Sequence, residues 1–273
     1  MIREHPRIKA AVMCSPFGEC RFSGACGSMF LRSVTLLKEK ITDDEVYPFT
    51  VPAIRELETL HFHHPVTFFV GENGSGKSTL LEAIAYQCGF NPAGGSRNHV
   101  HEVDSSRAAL GEFIRLSWMP KVTQGFFLRA ESFYHFASHL DQIAREDPAF
   151  RYRGYGGKSL HEQSHGESFL SLFLNRFGGR GIYLLDEPEA ALSPARQLAF
   201  LRIVHQLVNR GDAQFIIATH SPILLGYPNA GLFNFDCVPV ERVRYEDTDH
   251  YQITKAFLNR TDKVLEELFR DED

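Results

Sequence analysis

The stretch Val66-Thr67-Phe68-Phe69-Val70-Gly71-Glu72-Asn73-Gly74-Ser75-Gly76-Lys77-Ser78-Thr79-Leu80-Leu81 decides the fold. Its first five residues are all β-branched or aromatic, the composition of a buried strand. Residues 71–78 fit G-x-x-x-x-G-K-[ST] in full. After Lys77, apolar residues fall at 80, 81, 84, 85 and 88, which is helical spacing, and Gly89 suits the stop. A strand runs straight into a glycine-rich turn and a helix runs straight out, the context that this motif requires.

That context points to phosphate. Gly71, Gly74 and Gly76 let the backbone curl around an anion without Cβ clashes. The amides of residues 74–79 would then face the anion at a helix N-terminus, where the dipole favours negative charge. Lys77 would reach the β- and γ-phosphates, the Ser78 hydroxyl would ligate Mg2+, and Thr79 would sit near the α-phosphate. A second Gly-Lys-Ser at 157–159 is rejected. Tyr152 stands where the motif needs its first glycine, and no strand precedes it.

Working outward, two more apolar strands end in chemistry. Ile182-Tyr183-Leu184-Leu185 runs into Asp186-Glu187-Pro188, with Asp186 placed to hold the metal and Glu187 placed to orient or deprotonate water. Adjacent carboxylates at a buried strand end repel each other, so a divalent cation is a natural stabiliser. Gln214-Phe215-Ile216-Ile217-Ala218 runs into Thr219-His220-Ser221-Pro222, 34 residues after Asp186 and one β/α unit away. His220 is therefore expected on the ligand-binding edge, against a γ-phosphate. Upstream, Ser164-His165-Gly166-Glu167 opens a helix with apolar residues at 169, 170, 172, 173 and 174. Ser164 with Glu167 makes a capping box, which alone explains the local sequence. The same helix start could also offer its hydroxyl and amides to a phosphate.

The whole chain fits this frame. It has 273 residues, 43% hydrophobic and 23% charged, close to globular averages. Its apolar runs are far shorter than the ~20 residues that span a bilayer. Lys and Arg number 29 against 34 Asp and Glu, a net charge of −5 that gives no global pull toward nucleic acid. The five cysteines include Cys14, Cys20 and Cys26 at a six-residue spacing that suits zinc poorly, so reduced thiols in a cytoplasm are expected. Residues 1–28 carry no periodicity and read as a poorly ordered extension, or as sequence ahead of a start at Met29. Residues 29–273 read as a single domain, with 91–163 an insertion of loops and helix. Expected elements are a strand from Phe30 to Leu36, a strand at 125–130, helices at 131–146, 166–177, 194–209 and 261–270, and strands at 182–185 and 214–218. Strands alternating with helices predict an α/β fold, a mostly parallel sheet flanked by helices.

Together these residues resemble the ABC-type P-loop ATPases. The order of motifs matches: Gly71–Ser78, then Ser164–Glu167 in place of the usual Ser-Gly-Gly-Gln signature, Asp186-Glu187, the D-loop Ala190-Ala191-Leu192-Ser193, and His220. The signature departs at His165, where that family normally has glycine. The Q-loop falls at Glu131 by position or at Gln124 by residue type; Glu131 is preferred and would be a metal ligand. The stretches 125–133, 156–169 and 184–198 are similar to small stand-alone bacterial ATPases grouped as the AAA family. The resemblance implies ATP and Mg2+ as ligands, ATP hydrolysis, and a head-to-tail homodimer. Lys77, Asp186, Glu187 and His220 of one chain would face Ser164, Gly166 and Glu167 of the other. Ala218–Pro222 is similar to the form in chromosome-maintenance and phage-defence ATPases, which implies DNA maintenance or defence as the process served.

Competing readings are a transporter's nucleotide-binding subunit, with a membrane partner docking at 91–163, and a P-loop kinase, which the Asp186-Glu187 pair disfavours. Arg145, Arg151, Tyr152, Arg153, Tyr155 and Lys158 interleave base and aromatic as nucleic-acid tracks do, or form a polar loop. Tyr47 and Phe49 could stack on a purine, or lie in the core.

Overall fold

The computed structural model describes residues 29–90, 109–131, 133–146, 152, 157–162, 165–176 and 180–270. The N-terminal extension, with Cys14, Cys20 and Cys26, and most of the 91–110 loop lie outside these.

Strands occur at Leu31–Leu36 (β1), Thr59–His61 (β2), Val66–Val70 (β3), Ile114–Trp118 (β4), Gln124–Arg129 (β5), Gly181–Asp186 (β6), Ala213–Ala218 (β7), Gly231–Asn234 (β8) and Glu241–Arg242 (β9). Helices occur at Pro52–Arg55 (α1), Lys77–Cys88 (α2), Phe133–Glu146 (α3), His165–Arg176 (α4), Pro194–Asn209 (α5), Pro222–Leu225 (α6), Asp249–Asn259 (α7) and Thr261–Leu268 (α8). The fold class is as expected: α/β, with a mostly parallel sheet and flanking helices. The main sheet has the order β5-β6-β7-β3-β8-β9, parallel from β5 to β8, with β9 antiparallel at the edge. A small antiparallel sheet, β2-β1-β4, lies over one face.

Alternation along the parallel strands makes two cores. Phe68, Leu128, Tyr183, Leu185, Phe215 and Ile217 face α3, α4 and α5. Phe69, Phe127, Ile182, Leu184, Ile216 and Ala218 face α2 and the small sheet. Because side chains alternate with period two, Asp186 shares the parity of Ile182 and Leu184 and so looks toward α2. On the first face, rings stack in sequence: Phe133 on Phe169 at 5.3 Å, Phe169 on Phe173 at 4.9 Å, and Phe173 on Phe200 at 4.9 Å. Full burial of each ring is worth about 2–3 kcal/mol from area alone, so this pile locks α4 between α3 and α5.

The small sheet is tied on by one amide. Gln214, fully buried at the start of β7, accepts the amides of Phe30 and Leu31 at 2.9 and 2.8 Å and donates to the Leu31 carbonyl at 2.9 Å. Local pattern did not forecast β2, β4, β8, β9 or α7, and the single C-terminal helix expected at 261–270 is a pair, α7 and α8. Neither helix of the pair has a buried residue.

Candidate nucleotide site

Strand register brings the candidate residues to one edge. Arg129 pairs with Asp186, Asp186 with Ala218, Phe69 with Ala218, and Val70 with Asn234. The C-terminal tips of β5, β6, β7, β3 and β8 thus end in line. Glu131, Glu187, His220, Gly71 and Asp236 lie one or two residues past that line. This is the sheet edge where open α/β folds bind ligands.

The loop after β3 has the conformation that its glycines allow. Gly74 and Gly76 have φ of 83° and 103°. A Cβ on Gly76 would sit 3.1 Å from both Val51 and Ile54, so only glycine fits there without displacing α1. A Cβ on Gly71 would come within 2.9 Å of the Asp236 carboxylate. That carboxylate accepts the Glu72 amide at 2.8 Å and clamps the loop's first turn. Sequence reading missed Asp236, which is remote in sequence and carries no motif. Lys77 is buried, and its ammonium donates to the carbonyls of Gly71 and Glu72, both at 2.7 Å. Burial lowers its pKa, opposed by the carboxylates of Asp236, Glu187, Asp186 and Glu72. Thr79 bonds the exposed Tyr47 hydroxyl at 3.0 Å. Phe49, the other purine candidate, is buried edge-on against Phe113 and belongs to the core.

The metal corner lies where α2 meets β6. Ser78 Oγ donates to Asp186 Oδ1 at 2.9 Å. Asp186 is nearly inaccessible, and burial pushes its pKa up to about 6 against the opposing pull of Arg129 and Ser78. The Arg129 guanidinium lies 3.3 Å from Asp186 Oδ2, pairs with Glu82 on α2, and reaches Glu131 at 3.4 Å. Arg129 and Glu82 were not singled out from the sequence, because an ion-pair hub across a strand and a helix leaves no local pattern. Glu131 is 76% exposed and stands at the β5 tip, whereas Gln124 starts β5 at the far end of the strand. Among the described residues no group of three or more His, Cys, Asp and Glu could hold a metal. A serine and one carboxylate suit Mg2+, which completes its shell with phosphate and water.

The switch corner lies beside it. Glu187 adopts φ 48°, ψ 51°, a left-handed conformation rare for a residue with a side chain. Its amide is held by the Ala218 carbonyl at 2.9 Å, and its carboxylate lies 3.7 Å from His220 Nε2. That Nε2 is buried without a hydrogen-bond partner. The His220 amide donates to Glu189 Oε1 at 2.6 Å, and its Nδ1 meets Nε2 of His250 on α7 at 2.9 Å. Burial, Lys77 and His250 lower the His220 pKa. Gln197 joins the two neighbouring turns. It donates to the Leu192 carbonyl at 3.0 Å and accepts the Ser221 hydroxyl at 2.5 Å. A curled loop, a Ser–Asp pair and an orphaned buried ring nitrogen fit a triphosphate with its metal.

Ser164 lies outside the described residues. Gly166 and Glu167 open α4, whose neighbours include α5 and the turns 188–191 and 160–162. Glu167 pairs with Arg196 of α5 at 3.6 Å. The rejected Gly-Lys-Ser has a structural role, with the Ser159 and Tyr152 hydroxyls both donating to Asp141. Of the basic–aromatic run, Arg151, Arg153 and Tyr155 lie outside the described residues.

Two family models match the chain: one described as "AAA domain" over residues 49–122, the other as "AAA domain, putative AbiEii toxin, Type IV TA system" over residues 159–226. Between them they cover the phosphate loop, Asp186, Glu187 and His220. The human phospholipid-transporting ATPase ABCA7 is 28% identical over 181 residues, 62% of this chain and 8% of that protein. Protein ea59 of Escherichia phage lambda is 34% identical over 90 residues, 31% of this chain and 17% of that protein. The chain therefore spans under a fifth of the length of these curated relatives. Among solved structures, an ATP-binding cassette of an ABC transporter in its ADP conformation is 17% identical, covering 89% of this chain and all of that one at a TM-score of 0.42. The SMC head domain from Thermotoga maritima is 18% identical, covering 79% of this chain and 99% of that one at 0.41. The loop, the strand order and the two family models define a P-loop NTPase domain. More narrowly, the two segments that carry the site are each similar to AAA-type domains.

Proposed function

We propose that the chain is a Mg2+-dependent ATP hydrolase whose turnover is coupled to a head-to-tail homodimer. The observation that carries this reading is the 2.9 Å bond between Ser78 and Asp186, from a helix and a strand 108 residues apart, beside Lys77. Gly71, Asn73, Gly74, Ser75, Gly76, Lys77, Ser78 and Thr79 hold the phosphates. Ser78 and Asp186 hold the metal, with Glu131 at the neighbouring strand tip. Bound Mg2+ would supply Lewis-acid charge at the β- and γ-phosphate oxygens. Glu187 orients water and takes its proton, and His220 Nε2 donates to the γ-phosphate. Ser164, Gly166 and Glu167 close the site from the second chain. Placement of α4 among α5 and the 188–191 turn supports that role in trans. A cytoplasmic setting is part of this reading. The description of the second family model favours defence as the process served, with DNA contact part of that reading.

Two variants test it. Lys77→Ala removes the ammonium and should weaken ATP binding more than 100-fold, read by calorimetry. Glu187→Gln should still bind ATP and, with Mg2+, elute as a dimer in sizing chromatography. Elution only as a monomer would count against the homodimer, while ATP binding by Lys77→Ala would count against the site. The match to ABCA7 favours a second reading, a transporter subunit. Among the described residues no helix is long and apolar enough to cross a membrane, so that reading places the spans in a partner or in other sequence. Co-purification of such a partner from detergent extracts would favour it.

A further inference from the structure

His250 is absent from every motif above, yet among the described residues its side chain hydrogen-bonds the His220 ring. Its position is fixed from several sides. Thr248 caps α7 by accepting the Tyr251 amide, and its hydroxyl donates to the Tyr245 carbonyl at 2.7 Å. The Tyr245 hydroxyl in turn donates to the Pro222 carbonyl at 2.9 Å, which ties this turn to the residues just after His220. The two imidazoles meet at 2.9 Å between His220 Nδ1 and His250 Nε2, with ring centroids 5.0 Å apart and planes tilted by 47°.

One of those nitrogens carries the proton, and the far side of His220 decides which. If His220 Nδ1–H donated, Nε2 of a neutral ring would be a bare lone pair. It would be buried without a partner 3.7 Å from Glu187 Oε1, a lone pair beside a carboxylate. If His250 Nε2–H donates, His220 keeps its proton on Nε2, which attracts the same carboxylate and can donate to an incoming anion. Burial and the Lys77 charge keep His220 neutral, so its tautomer matters.

We propose that His250 is a positioning residue: by donating Nε2–H to His220 Nδ1 it holds His220 in the Nε2–H tautomer, so that the switch side chain presents a donor to the γ-phosphate. The proposal rests on the nucleotide reading for the identity of that phosphate. The tautomer itself does not depend on it.

The experiment has two arms. In the first, 15N NMR of the histidine rings in the nucleotide-free wild-type chain reads the tautomer directly. The expected result is a pyridine-type Nδ1 and a pyrrole-type Nε2 on His220. A pyrrole-type Nδ1 overturns the proposal, whether or not the chain hydrolyses ATP. In the second arm, His250→Phe fills the space without a donor and should slow turnover roughly 10- to 100-fold, as loss of an orienting partner does. ATP affinity should change less than about threefold, since one neutral hydrogen bond is worth little beside the phosphate loop. His250→Gln, whose amide N–H reaches the same place, should recover most of the rate. In a His220→Ala background His250→Phe should cost nothing further. Full activity of His250→Phe, or an equal loss in the His220→Ala background, overturns the proposal. A wild-type chain that hydrolyses no ATP sinks the proposed function and leaves the tautomer to the first arm.

Discussion

The metal corner and the switch corner share one sheet edge but are finished differently. At the metal corner Asp186 meets Ser78 on one oxygen and Arg129 on the other, and Arg129 is shared with Glu82. At the switch corner Glu187 sits in a left-handed conformation, while Glu189 Oε2 and His220 Nε2 are buried without hydrogen-bond partners. Buried polar atoms are seldom left unmet, and where they are, strain, a catalytic role or a bound water or ion accounts for it. The difference teaches which half of the site is complete within this chain. Both Asp186 oxygens have partners within the chain where a metal would bind, and hydrogen bonds are left open where a γ-phosphate and water would bind.

Substitutions can break that contrast. Glu187→Gln keeps the size of the side chain and removes the base, so turnover should fall roughly 10²–10³-fold with ATP affinity unchanged, measured by steady-state phosphate release and calorimetry. Arg129→Met strands two buried carboxylates, Glu82 and Asp186, and should cost about 3 kcal/mol in urea unfolding. Added Mg2+ and nucleotide should restore part of that loss in Arg129→Met. A variant as stable as wild type would show that charge balance does not hold the metal corner.

Acid should move the two corners in opposite directions. The folded pKa of Asp186, about 6, lies above its unfolded value of 3.8. Its burial therefore costs stability above pH 6, and the cost fades as pH falls through 6. His220 has a folded pKa below its ordinary 6.5, so its share of stability is lost as pH drops below 6.5. Relative to wild type, Asp186→Asn should gain about 1–2 kcal/mol at pH 7.5, about half that at pH 5 and little below pH 4, read from thermal midpoints. His220→Gln should gain on wild type as pH is lowered. Two variants that track wild type at every pH would remove the contrast. The smallest effect is expected from Glu187→Gly, which relieves the left-handed backbone and should stabilise the resting chain by about 0.5–1 kcal/mol while it abolishes turnover.

What could be read from the residues alone followed how local the forces were. The phosphate loop, the Asp186 strand and the His220 strand each announce themselves within ten residues, because a strand tip and the chemistry just past it are contiguous. Parity along β6 even sets the direction of Asp186. Arg129, Glu82, Asp236, Gln197 and His250 were illegible, since each acts on a residue far away in sequence and none belongs to a repeating pattern. Gln214 is the clearest case. A polar residue at the start of an apolar strand looks like an edge, yet it is fully buried and fastens a second sheet through contacts spanning 183 and 184 residues. Of the two C-terminal helices, α8 lies within the helix expected at 261–270, whereas α7 was not read from the residues.

The grip of Lys77 on the carbonyls of Gly71 and Glu72 has a consequence for selectivity. The resting cradle is latched by its own cation, and a guest must release that latch before it can be held. Two hydrogen bonds break and similar ones form, so the exchange favours the guest only through its excess negative charge. By that argument a nucleoside or monophosphate would open the latch less readily than a triphosphate. The loop thus sorts its guests by how many phosphates they carry before any contact with a base is made.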